Sequence, residues 1–507
     1  MKKPAGDNLE SAGESTMPPS TTSGSQTAPN HRLALIGGSW LDLVIIALAS
    51  VALFATPLQM FRLATPLDES VRILISGAVW LFTALIVWHK AGPISHLTAS
   101  LTQHFARISI ISWILIGLAL RLTWVILFQA QPGSDGGTYL ALAIKLIESG
   151  QYKAGDTFAY WPVGYPAFLA FWISILPSAK AAFLISNAFV FIVGSIGVAK
   201  LGTHLGGPTA GRAAIALFAL WPNLIFNSAT PEKEMLVLAL LPWATLWLFR
   251  VVENPGRLLF AFGCGILLGS ATLAQPSLQL LPLLGAIALV IFLPSTRNSI
   301  KPALLVILGA AIIVSPWTIR NYQTFDKFVL VSTNGGDVLY RANNPMATGG
   351  YMKTGEIDLS DLSELEKDAV GRRLAVEWIR NHPTQFGRLA VEKLILFMGD
   401  DAVGVYNTLK VGRASDNTLV YALLKATANG WWMLAWLCMA AQALNNRRHA
   451  IRLHSMFSRT PVWIWLYLMS LHAVFESAGK YHVPITFALC VLLAVLACGR
   501  REAQHEP

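Results

Sequence analysis

Charge is scarce in this chain. Of 507 residues, 13% are charged and 54% are hydrophobic, whereas soluble globular proteins run near roughly 25% charged. That excludes an ordinary soluble domain. Apolar stretches of about 20 residues recur instead, the mark of a polytopic membrane protein. Cysteine is also scarce. Cys264, Cys438, Cys490 and Cys498 all fall in apolar segments. They lack the spacing of metal ligands or of a disulfide framework, and read as small buried hydrophobes. Residues 1–30 have no apolar run and are rich in Ser, Thr, Pro and Gly, which predicts a disordered tail and not a cleavable signal. There is no clear short internal repeat. The net charge of +10 does not argue for nucleic acid, because the basic residues lie between hydrophobic segments, where the positive-inside bias puts them.

What is present is a series of apolar segments, near 41–61, 71–90, 108–129, 181–200, 211–229, 235–252, 258–275, 277–294, 302–319, 420–444, 461–477 and 483–499. They predict an all-α helical bundle of about 12 transmembrane spans with both termini cytoplasmic. Residues 163–177 are apolar but number only about 15, short of the usual 17 to 25 for a span. If they do not cross, Lys200, His204, Arg212, Arg250, Arg257, Arg297 and Lys301 all fall on the cytoplasmic side. They therefore read as an interfacial helix, as do residues 386–398. Arg447, Arg448, Arg452 and Arg459 are inside by the same count, and the loop with Pro66 and Asp68 is outside. The expected divisions are a cytoplasmic tail (1–35), an N-terminal hairpin (36–107), a transmembrane core (108–319) with a first outer loop at 130–180, an outer polar region (320–415) and closing spans (416–507).

The outer side carries the candidate chemistry. Asp135 stands where the chain leaves a span, and an amphipathic helix follows. Tyr139, Leu142, Ala143, Leu146 and Ile147 share one arc of it, and Gly150 is placed to end it in the left-handed conformation. The plain explanation of Asp135 is a helix N-cap before Gly136-Gly137-Thr138. Pro231-Glu232-Lys233-Glu234 sits at a tight turn, and its plain explanation is a solvated charge pair. Pro316-Trp317-Thr318-Ile319-Arg320-Asn321-Tyr322 ends a span with an outward arginine, against the usual bias. Arg320 is either an interface anchor or a phosphate clamp, which suits the guanidinium fork. Ser477 to Pro484 brings Lys480, Tyr481 and His482. Lys480 could supply a point charge to a phosphate. His482 reads equally as a plain interfacial histidine or an acid–base group. The outer polar region also carries an acidic, helix-like run at 356–368.

In order, these features are an acid after a span, a helix ending in Gly-x-Tyr, and Trp161-Pro162-Val163-Gly164-Tyr165-Pro166. Then come a Pro-x-x-Glu turn, Pro316-Trp317-x-x-Arg320-Asn321-Tyr322, and Ser332-Thr333-Asn334-Gly335-Gly336-Asp337 running to Asn343-Asn344-Pro345. The last is Lys480-Tyr481-His482-x-Pro484. The pattern, over about residues 108–500, resembles the GT-C superfamily of membrane glycosyltransferases, in the bacterial branch similar to protein O-mannosyltransferases and lipid A aminoarabinose transferases. The resemblance implies a polyprenyl-phosphate-linked sugar donor, an extracytoplasmic site in a bacterial inner membrane and inverting transfer. The acceptor would be lipid A, a surface glycan or a protein. It implies Asp135 as catalytic base, with Arg320 and Lys480 at the donor phosphate. Tyr139, Tyr165, Asn334, Asn343, Tyr481 and His482 would lie about the substrates. Glu232 and Glu234 would touch substrate or, with Asp135, hold a divalent metal; the sequence does not choose. Two departures stand out: Asp135 is followed by Gly136 where relatives often have Glu, and Lys480 stands where Arg is usual.

The rival from another class is a transporter or flippase of a lipid-linked glycan. Such proteins carry polar residues near the bilayer midplane on broken helices. Here charges gather at one face, with Arg121 the mid-span exception. A scaffold without chemistry is a third reading, separable only by activity.

Overall fold

The computed structural model describes residues 31–64, 67–293, 296–448 and 461–498. Residues 1–30 of the expected tail, Pro66, and the loop with Arg452 and Arg459 lie outside the described residues, while residues 31–35, expected as tail, begin a helix. The protein is all-α. Among the described residues, the only β feature is one bridge between Ala154 and Thr157.

In chain order the helices are α1 (His31–Ala64), α2 (Glu69–Ala106), α3 (Ile110–Leu127), α4 (Ser134–Ser149), α5 (Gly164–Ile175) and α6 (Ala179–Leu220). Next are α7 (Pro222–Phe226), α8 (Lys233–Glu253), α9 (Leu258–Ala274), α10 (Leu281–Phe292), α11 (Thr296–Phe325) and α12 (Gly335–Ala342). The last six are α13 (Glu364–Asn381), α14 (Pro383–Met398), α15 (Val403–Tyr406), α16 (Thr418–Arg448), α17 (Pro461–Val474) and α18 (Thr486–Cys498). Over the described residues, each expected apolar segment is largely helical. Among them, seven helices are long and apolar enough to cross a membrane, which makes this a multi-pass membrane protein.

Local chemistry sets the breaks. Ser109 and Ser178 accept the amides of Ser112 and Ala181 and so start α3 and α6. α6 covers two expected segments because it bends at Gly206-Gly207-Pro208. Gly207 has φ 77° there, a value open to glycine, and the proline removes a ladder donor. α2 bends likewise at Lys90, just before Pro93. Twelve residues give α5 a length of about 18 Å, well under the roughly 30 Å hydrocarbon layer. The acidic run at 356–368 is only partly helical. The helix starts later, at Glu364, where Ser363 and Glu366 form a reciprocal capping box, and it runs on to Asn381.

α18 is the innermost helix, buried from Thr486 to Ala497, and it packs on α6. α1 buries Leu41, Ile45 and Ala49 completely against α16 and α2. Its Arg62 pairs with Glu69 of α2 and Glu392 of α14, so the N-terminal hairpin is an integral wall. α3 instead shows Ile111, Leu115, Leu122 and Ile126 outward, as a lipid-facing helix does. Its Arg121 turns inward, donating to the carbonyls of Gly117 and Ala219 at 3.1 and 3.2 Å and lying 3.7 Å over the Phe191 ring. At one end of the bundle, Arg250, Glu253 and His204 make a charged cluster. The candidate site lies at the other ends of these helices.

Candidate active site

The chain enters α4 through Ser134 at φ 48°, a strained value for a residue with a Cβ. Asp135 follows in the first turn. It is not a cap: the N-cap position is Gly133, and no side chain caps the helix. The Asp135 carboxylate instead accepts from Lys480 Nζ at 3.2 Å. That lysine comes from the turn Gly479–Ile485 ahead of α18. About a third of each side chain is exposed, 34% and 32%. Burial works against the Asp135 charge, but the ammonium groups of Lys480 and Lys233 outweigh it and hold the carboxyl below its ordinary value. Gly150 closes α4 at φ 66°.

The Pro231 turn is the floor under Asp135. A Cβ on Gly136 would stand 2.7 Å from the Pro231 carbonyl oxygen, so only glycine lets α4 rest there. Glu232 accepts from Asn407 Nδ2 at 2.8 Å and Thr230 Oγ1 at 3.3 Å. Burial and the neighbouring Glu234 push its carboxyl up to about 8. Glu234 is buried in the first turn of α8. Tyr139 meets Tyr165 edge to face at 5.5 Å and Trp161 at 5.8 Å, closing the apolar side. Beside α4, Gly137, Thr138, Lys145, Lys153 and Gly155 border a groove of about 420 Å³. No group of three or more His, Cys, Asp or Glu among the described residues is disposed to hold a metal ion. Asp135, Glu232 and Glu234 therefore do not form a ligand set.

A second network adjoins the first. Asp337 and Arg341, one turn apart on α12, pair at 3.4 Å, and Arg341 reaches Glu476 at 3.6 Å. Tyr160 donates to Asp337 at 2.7 Å, and Tyr481 donates to Glu476 at 2.6 Å. Lys367 stands 3.7 Å from Asp337. The Arg341 charge is felt at Asp135. Sequence reasoning did not single out Arg341, Glu476 or Tyr160. The i, i+4 spacing of Asp337 and Arg341 was the one local signal available.

The other candidates have different surroundings. Arg320 donates to the carbonyls of Phe158 and Tyr152 at 2.8 and 3.0 Å and to Asn321 at 3.1 Å, with its guanidinium 4.6 Å over Trp317. Glu364 grips the same loop from the opposite side, accepting the amides of Phe158 and Ala159 at 2.6 and 2.7 Å. Together they fix both polarities of the first-loop backbone. Asn334 accepts from Ser332 at 2.9 Å. Asn343 takes a hydrogen bond from the buried Lys393 at 2.8 Å. His482 is not interfacial: it is wholly buried, 3.1 Å from Asp401 and stacked 4.4 Å from Trp432. Of the expected site residues, the fold brings together Asp135, Lys480, Tyr139, Tyr165, Glu232, Glu234 and Tyr481. It sets Arg320, Asn334, Asn343 and His482 in separate structural contacts.

No protein-family model matches the sequence, and no curated protein matches it. Solved structures are similar in three dimensions. The Archaeoglobus fulgidus oligosaccharyltransferase in the apo form is 13% identical, with TM-score 0.44, over 76% of this chain and 49% of that one. ArnT from Cupriavidus metallidurans bound to undecaprenyl phosphate is 12% identical, with TM-score 0.38, over 78% of each chain. The chain spans about half the length of the archaeal structure. Both are of the GT-C class that the sequence motifs resemble. At this identity and overlap the likeness says nothing of what this chain binds or transfers.

Proposed function

We propose that the protein is a membrane glycosyltransferase moving a sugar from a polyprenyl-phosphate-linked donor to an acceptor at the outer face of a bacterial inner membrane. The acceptor is lipid A, a surface glycan or a protein. One observation carries the reading. Asp135 caps nothing, is held ionised by Lys480 and Lys233, and keeps a third of its side chain open. An ionised, reachable carboxylate is what a general base requires.

In this reading the acceptor hydroxyl or amine gives its proton to Asp135 as its O or N attacks the anomeric carbon. The bond from that carbon to the phosphate oxygen breaks, and the electron pair leaves with the polyprenyl phosphate. Displacement from the far side inverts the anomeric centre. Tyr139, Tyr165 and Trp161 supply an aromatic wall for a sugar face. Arg320 contributes by holding the first loop against the site. Transport fits less well, because the mid-span cation Arg121 is bound to helix carbonyls while the carboxylate–lysine cluster sits at helix ends.

The test is mass spectrometry of surface glycolipids, glycans and proteins from cells carrying the wild type or Asp135→Asn. A sugar increment present only with the wild type is the expected result. Identical spectra, with both proteins in the membrane, would overturn the reading.

A further inference from the structure

The site holds several cations, and most already have partners. Lys480 is paired with Asp135 at 3.2 Å. Arg341 lies between Asp337 and Glu476, and Lys367 faces Asp337. Arg320 spends its nitrogens on the carbonyls of Tyr152 and Phe158 and on Asn321. Lys233 differs. It opens α8 on the turn that carries α4. It is half-buried, with Nζ 5.9 Å from the centre of the Tyr139 ring. Among the described residues it has neither an ion pair nor a hydrogen bond from its ammonium group. Neither sequence neighbour pairs with it: Glu232 is bound to Asn407 and Thr230, and Glu234 is buried in the first turn of α8.

We propose that Lys233 is the residue that receives the phosphate of the lipid-linked donor, with Lys480 joining as the phosphate leaves. This rests on the glycosyltransferase reading and deepens it. The charge balance explains the two lysines. A sugar–phosphate–polyprenyl diester carries one negative charge, and the released monoester carries about −1.5 to −2 at neutral pH. Before transfer, Asp135 neutralises Lys480, so the diester needs an ammonium that is unpaired and close to Asp135, and Lys233, whose charge is felt at Asp135, meets both conditions. When the acceptor's proton reaches Asp135, the attraction between Asp135 and Lys480 is lost. Lys480 is then free for the second charge that appears on the phosphate in the same step. Lys233 therefore governs donor binding, and Lys480 governs turnover.

The experiment uses full-length protein in nanodiscs of neutral lipid, with a long-chain polyprenyl monophosphate and the corresponding polyprenol as probes. The wild type should prefer the monophosphate. Lys233→Gln should weaken monophosphate binding about tenfold or more and leave polyprenol binding unchanged. Lys233→Arg should keep most of the preference, and Lys180→Gln, at an exposed lysine of α6, all of it. In the unmutated protein, the monophosphate and not the polyprenol should slow acetylation of Lys233, a readout independent of variant folding. If the wild type does not distinguish the two lipids, the polyprenyl-phosphate reading falls. If it does, but Lys233→Gln binds equally well or Lys233 is not protected, only the role of Lys233 falls.

Discussion

Asp135–Lys480 and Asp401–His482 are both carboxylate–base pairs in the same bundle, at 3.2 and 3.1 Å, yet their settings are opposite. Asp401 and His482 are fully buried. Asp401 also accepts from Trp221 at 2.7 Å and Asn223 at 2.6 Å. His482 Nδ1 faces the Phe397 carbonyl at 2.5 Å, which can only accept, so Nδ1 carries a hydrogen. Each polar atom there has a partner. Asp135 has one side-chain hydrogen bond and a third of its side chain open. The same chemistry is a tie in one place and an idle reagent in the other. Spare hydrogen-bonding capacity and access separate them, and distance does not.

Mutation at the two sites should therefore fail in different ways. Asp135→Asn should cut turnover by about a hundredfold or more while thermal melting stays near wild type, measured by transfer assay and melting on the same preparation. Melting that drops as far as activity would make Asp135 a structural residue. Asp401→Ala should do the reverse. Removing one member of a buried pair costs about 3 to 5 kcal/mol, so detergent-solubilised protein should melt early, and the surviving folded fraction should keep its turnover.

Arg320 gives an intermediate effect. Arg320→Ala removes charged hydrogen bonds worth about 1.5 to 3 kcal/mol from the first loop. Limited proteolysis should then cut within residues 150–162, and Arg320→Lys should restore only part of the protection, because one ammonium cannot reproduce the fork. Unchanged proteolysis would show that Glu364 alone holds the loop.

The smallest effect is in pH. The folded Asp135 carboxyl is held below its ordinary value. Its contribution to stability is complete above the unfolded value of about 3.9 and is lost as pH falls through the lower folded value. The acid limb of the rate should accordingly lie below about 4. Lys480→Met removes a major charge holding the carboxyl down and leaves its burial, so the limb should move to higher pH. A pH–rate profile that stays in place would show that Lys233 and Arg341 suffice to hold the Asp135 charge.

The helices were legible in the sequence because apolar runs of that length have one solution in lipid. Asp135, Glu232 and Lys480 were legible as polar residues at helix ends. Their roles were less so. Arg320 was read as an outward cation, anchor or phosphate clamp; its partners include the carbonyls of Tyr152 and Phe158, and backbone atoms leave no trace in residue identity. His482 looked interfacial because it lies between Lys480 and Pro484. The buried Asp401 that explains it is 81 positions away. Glu476 and Arg341 meet only through the fold, and Lys233 stands out only once the partners of the other cations are known.

Asp135 and Lys480 are separated by 345 positions, and the first loop and Glu364 by about 205. During synthesis, Asp135 would emerge early and wait, its loop unheld and its lysine not yet made. The contact between Asp135 and Lys480 cannot form until the turn ahead of α18 has been made, so on the proposed reading the order of synthesis itself delays activity until the bundle is assembled.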